Sequence, residues 1–281
     1  MSDFLSPAEE KFLDEAAAYL ETPSFLMRVA DYVGKPVDFV TKNLPAKVTQ
    51  IGEAALTKAM EIAVSTVRES KGEGSFDDAI QKAASNSFWH TLASVGPAVV
   101  GGPFGIAGLA FELPLTTGIM FRSIASAAAA MGENLEDPLV RLDCLTVFSQ
   151  GGPSPEDDAM ESSYLTTRVS LAYMVREAAG FMSAHTARQV AEALATGGAP
   201  QLTILIARIA ARFNVVVSQK FLAQSLPVVA IATGALVNAA FCDHFGAIAR
   251  YHFGIRRLER QHGQDRIQDT YRHVVRRLKA K

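Results

Sequence analysis

Residues 91–132 read TLASVGPAVVGGPFGIAGLAFELPLTTGIMFRSIASAAAAMG, inside a fifty-residue span, 83–132, that carries only two charges, Glu112 and Arg122. Water offers such a segment little, so it belongs either at the centre of a large helical core or in a bilayer. Gly96-Pro97, Gly101-Gly102-Pro103 and Gly108 break its first part into short pieces, which reads as a glycine-rich apolar hairpin. Leu113-Pro114 predicts a helix start, because the residue before a proline is pushed out of the helical region. Gly132 predicts where that helix ends. Residues 83–111 are uncharged for 29 positions, enough for the roughly 20 residues of a spanning helix. A second uncharged run of 22, residues 221–242, is interrupted by Pro227 and Asn238. Neither run has the Leu/Ile/Phe-dense block of an ordinary span. A buried core and a re-entrant or surface-inserted hairpin both remain open.

Outward from this centre the chain is conventional. At 281 residues, with 49% hydrophobic and 20% charged residues and a mean hydropathy of +0.14, it has the means to bury a sizeable core. Cys144 and Cys242 lack CxxC spacing, which fits a reducing, cytoplasmic setting. The acidic start MSDFLSPAEEK lacks the basic-then-apolar layout of a secretory signal. The net charge of −2 hides an asymmetry: residues 250–281 hold ten Lys/Arg against three Asp/Glu, a surplus of +7, which leaves −9 on the first 249. A basic end on an acidic body reads either as a solvated, arginine-rich helical face or as a surface for a polyanion, an anionic membrane or a membrane protein. Nucleic acid is not expected, since the basic end lacks interleaved aromatics beyond Tyr251, Phe253 and Tyr271. The sequence leaves the oligomeric state open.

Proline and glycine divide the chain into about ten helices. Ser6-Pro7-Ala8-Glu9 is a capping box with proline at the first helical position. Thr22-Pro23, Asp137-Pro138 and Ser154-Pro155 repeat the start signal. No segment of convincing period-two alternation suggests a sheet. The prediction is an all-α protein, a single large multi-helix domain with the apolar hairpin at its centre. Its basic C-terminal helix pair carries the stripes Ile248, Tyr251, Ile255, Leu258 and Ile267, Tyr271, Val274, Leu278, broken at Gly263. Residues 1–47 read as an N-terminal helical extension, and 48–281 as the main domain.

Several of these residues form recognisable motifs. The stretch GGPFGIAGLAFELPLTTGIMFRSIASAAAAMGENLEDPLVRLDCLTVFSQGG (101–152), Asn238, and ARYHFGIRRLERQHG (249–263) resemble the EcsC family. The likeness runs from about residue 48 to about 275. It rests on the glycine-rich turn, Glu112-Leu113-Pro114-x-Thr116-Thr117, Arg122-Ser123-Ile124 and Leu258-Glu259. It implies a bacterial, mostly helical protein and, through the gene neighbourhood behind the family name, a link to an ABC transporter. It implies no reaction.

The residues themselves offer little chemistry. There is no HExxH, CxxC, GxSxG or GxxxxGK[ST]. No cofactor is therefore expected. Asp243, His244 and His252 come nearest to a metal set, but His244 and His252 stand about 80° apart around a helix, so no metal is expected. Glu112 is the one carboxylate in the apolar span and requires a partner. Arg122, Arg141, Arg208 and Arg250 are the candidates. If Glu112 is functional, Thr116, Thr117 and Arg122 are its neighbours in a catalytic site of unknown reaction. Arg256, Arg257, Arg260, Arg272, Arg276 and Arg277 form the candidate membrane- or anion-binding set. Gln201–Lys220, with Arg208 and Arg212 four residues apart, suits either a membrane surface or buried carboxylates. Two functions follow. One is a non-enzymatic cytoplasmic protein, peripheral on the inner membrane and serving a transporter or envelope process. The other is a soluble hydrolase built around Glu112.

Overall fold

Ser6-Pro7-Ala8-Glu9 begins the first helix as its chemistry dictates. The Ser6 hydroxyl accepts from the Glu9 amide at 3.3 Å, and the Glu9 carboxylate accepts from the Ser6 amide at 2.7 Å, which satisfies two donors that a helix start leaves open. The computed structural model describes residues 5–22, 25, 46–65, 75–85, 105–150, 162–224 and 233–280. Among them are ten helices: α1 (Pro7–Leu20), α2 (Ala46–Ser65), α3 (Phe76–Ser85), α4 (Gly105–Ala130), α5 (Pro138–Thr146), α6 (Ser163–Ala184), α7 (Ala187–Thr196), α8 (Pro200–Gln224), α9 (Thr233–His262) and α10 (Gln264–Lys279). A 3-10 turn, Val147–Ser149, extends α5, and the described residues include no strand. The fold is all-α.

Local signals set most of these boundaries. Asp137 caps α5, accepting from the Leu139 amide at 2.8 Å ahead of Pro138. Gly132, at φ 88°, ends α4, and the Glu133 amide reaches back to the Ala128 carbonyl at 3.0 Å, a left-handed helix stop. Gly263, at φ 93°, separates α9 from α10. One expectation is corrected: Pro114 does not open a helix but lies inside α4, which begins at Gly105. Proline in a helix interior forfeits a hydrogen bond. Leu109, Glu112 and Leu113 before it, and Thr116 and Thr117 after it, are all buried, so packing on both sides holds the helix together. The Thr22-Pro23 and Ser154-Pro155 signals, and the glycine-rich turn at 101–104, lie outside the described residues.

The described part of the apolar centre, residues 105–132, is largely core. Met120, Phe121, Ile124, Ala128 and Met131 of α4 are buried where α4 packs on α2 and α9. Gly118 permits a close approach, for a Cβ there would stand 2.8 Å from Ile62 of α2. α8 is long and apolar enough over Pro200–Phe221 to cross a bilayer, yet 56% of its most apolar window is buried inside the chain, against α2, α6 and α9. Phe148, Phe213, Phe241 and Phe245 interlock at centroid separations of 5.2 to 6.1 Å. α1 closes the far side: Phe12 packs on Phe76, Tyr251 and Gly254, and Tyr19 meets His244 at 3.0 Å.

Candidate functional site

Glu112 sits in the interior of α4, not at a helix start, and its partner is Lys220 of α8. The ammonium donates to the carboxylate at 2.6 Å, with side-chain exposures of 0% for Lys220 and 6% for Glu112. Phe241 adds its ring face 5.1 Å from the ammonium. None of the four candidate arginines plays this role. Arg122, ten residues on and so about 80° around the helix, is exposed. Arg141 instead donates to the Ala63 and Val64 carbonyls at 3.1 and 3.2 Å, filling acceptors left open at the end of α2. Arg250 lies over the Tyr251 ring, and Arg208 is exposed. Thr116 and Thr117 are fully buried beside the pair, and their hydroxyls make no hydrogen bond among the described residues. The carboxylate is bound to a buried cation and is itself only 5% exposed.

The C-terminal arginines are held mainly by acids of the chain itself. On α9, Arg256 donates to Glu133 at 2.8 Å and to Asp143 at 2.5 Å. Arg260 also reaches Glu133, and donates to the Met131 carbonyl at 2.7 Å. Arg257 is buried. On α10, Arg272 pairs with Asp269 at 2.7 Å and Arg277 with Asp14 of α1. Arg276 is exposed.

His244 and His252 point to different partners, His244 to Tyr19 and His252 to a network the sequence did not reveal. Among the described residues no group of three His, Cys, Asp or Glu could hold a metal. His252 Nε2 lies 3.1 Å from Asp143, and Nδ1 lies 3.1 Å from the Tyr164 hydroxyl and 3.4 Å from the Gln150 amide. A carboxylate only accepts, so Nε2 carries a proton toward Asp143, while Nδ1 shares a hydrogen bond with the Tyr164 hydroxyl. Arg168 donates to Tyr164 at 3.4 Å and binds Glu259 through two parallel bonds of 2.9 Å. Burial alone would raise the Asp143 carboxyl, but His252 and Arg256 hold it well below the usual carboxylate range. Burial pushes the Tyr164 hydroxyl and the Cys144 and Cys242 thiols up. The thiols are therefore unreactive. Asp143 is a fixed anion, and both ring nitrogens of the buried His252 are engaged.

This network forms one side of a cleft of about 200 Å³ between α5, α6, α9 and α10, lined by Asp143, Arg168 and Arg256 together with Arg176, Gln264 and Gln268. The signal that could have found it is spacing. His252, Arg256 and Glu259 recur at i, i+4 and i+7, one face of a helix, and Asp143 is the one carboxylate of α5.

The fold and its buried charge pairs define an all-helical protein with an apolar central helix and an ion-paired C-terminal helix pair. The chain belongs to the EcsC protein family, whose model matches residues 13–258. That span takes in most of α1, whose Phe12, Leu13, Ala16 and Leu20 belong to the same apolar core. No curated protein and no solved structure matches it.

Proposed function

We propose that this chain is a non-enzymatic, cytoplasmic helical protein that associates peripherally with the inner membrane, touching lipid through the outer face of α4. The observation that carries this reading is the exposure of Phe111 and Leu115, at 72% and 39%, one turn apart on that face. Arg122 is exposed farther along it, where a cation suits the headgroup level above an inserted apolar patch. The buried Glu112–Lys220 pair weighs against the hydrolase alternative, because a carboxylate held by a buried ammonium is not free to act as a base. The internal pairing of Arg256, Arg260, Arg272 and Arg277 moves the main contact from the basic end to the apolar face. A transporter or envelope role remains the setting that this attachment would serve.

Co-sedimentation with anionic vesicles tests it. Inserting an exposed Phe or Leu side chain is worth about 1.5–3 kcal/mol, so the double variant Phe111→Asp/Leu115→Asp should lose at least tenfold in partitioning while its melting temperature holds. Neutralising Arg276 should cost less. Unchanged partitioning of the double variant would overturn the reading.

A further inference from the structure

The cleft beside the Asp143–His252–Arg256 network has a mixed lining. Leu139, Leu165, Leu171 and Val175 make it apolar, and Arg168, Arg256 and the Gln264 and Gln268 amides add polar groups. Arg168 and Arg256 have their charge matched by Glu259, Glu133 and Asp143. Arg176 differs: it lines the cleft, is exposed, and has no ion pair among the described residues. The rim therefore keeps one positive charge that nothing described offsets. On the same helix, Val169 lines the cleft and is 72% exposed, and Tyr173 is 66% exposed. Taking a water's share of liquid as about 30 Å³, the volume holds roughly six or seven water-sized groups.

We infer that this cleft binds a small amphiphilic anion, a phosphate- or carboxylate-headed molecule with a short apolar body. The body lies along Leu165, Leu171 and Val175. The head meets the Arg176 guanidinium, whose planar fork fits either group, with the Gln264 and Gln268 amides as further donors. Asp143 also lines the cleft, and its charge repels a second negative group, which limits the ligand to a single anionic end. This site is independent of any contact between α4 and lipid.

Calorimetric titration of the full chain with butyl phosphate, butyrate and inorganic phosphate tests the site. Butyl phosphate or butyrate should bind saturably, at least tenfold more tightly than inorganic phosphate. Arg176→Glu at the exposed rim and Ala172→Phe, which fills the cleft, should each weaken binding at least tenfold, with the melting temperature of Arg176→Glu unchanged. Competition by phosphatidate vesicles supports a lipid head as the source, and lack of competition supports a soluble molecule. No saturable binding at millimolar concentrations, equal binding of inorganic phosphate, or full binding by a folded Ala172→Phe variant would each overturn the inference.

Discussion

Replacing Lys220 by Met probes the Glu112–Lys220 pair most directly, because it keeps the volume and removes the charge. The two groups are 2.6 Å apart and all but sealed from water. At an effective dielectric constant near 20 their attraction is roughly 6 kcal/mol. Taking each ion out of water costs several kcal/mol, so the intact pair contributes little net stability. Breaking it is another matter. Lys220→Met strands Glu112 in the core, and Glu112→Leu strands Lys220, each at about 3–5 kcal/mol. The double variant Glu112→Leu/Lys220→Met leaves no stranded charge and should lie within about 1 kcal/mol of the starting protein. Urea denaturation followed by circular dichroism measures all three, and the double-mutant cycle should return a coupling of about 3 kcal/mol or more. Additive single effects, or single variants that cost less than about 1 kcal/mol, would refute the assignment of this pair as a coupled structural unit.

Two further outcomes follow from the packing. The Asp143 carboxyl is depressed in the folded chain. Its stabilisation is therefore present above the unfolded carboxylate range and is lost as pH falls below about 4. Thermal melts from pH 7 to pH 2 should show this decline, while Asp143→Asn should be less stable at pH 7 and show a shallower acid limb. Gly254→Ala should destabilise even though alanine is the better helix former, because a Cβ there overlaps the Phe12 ring, which Phe76 and Tyr251 hold in place. A loss of about 1–3 kcal/mol is expected, and Phe12→Leu should recover part of it in the same melts.

Much of the helical framework was legible in the residues. Ser6-Pro7, Asp137-Pro138, Gly132 and Gly263 each mark a helix end by chemistry that acts within one turn. The stripe Ile267, Tyr271, Val274 faces inward on α10 as its spacing predicts. Pro114 was misleading because its rule is also local, whereas α4 continues through it under contacts from α2 and α9. The candidate sites were less legible. The sequence marked Glu112 as a charge in need of a partner and proposed four arginines, but packing delivered a lysine 108 residues away.

The sequence alone determined that the chain is all-α, where several of its helices start and stop, and which residues cannot face water. Those properties depend on φ/ψ preferences, caps and a period of 3.6 residues. Tertiary structure decided which charges meet: Glu112 with Lys220, Arg256 with Glu133 and Asp143, Arg168 with Glu259. It also decided that Arg256 and Arg260 of α9 turn toward Glu133 and Asp143 while Phe111 and Leu115 stay in the open. An ion pair in a helical bundle is set by how two distant helices cross and rotate, and no spacing along one strand of sequence encodes that angle.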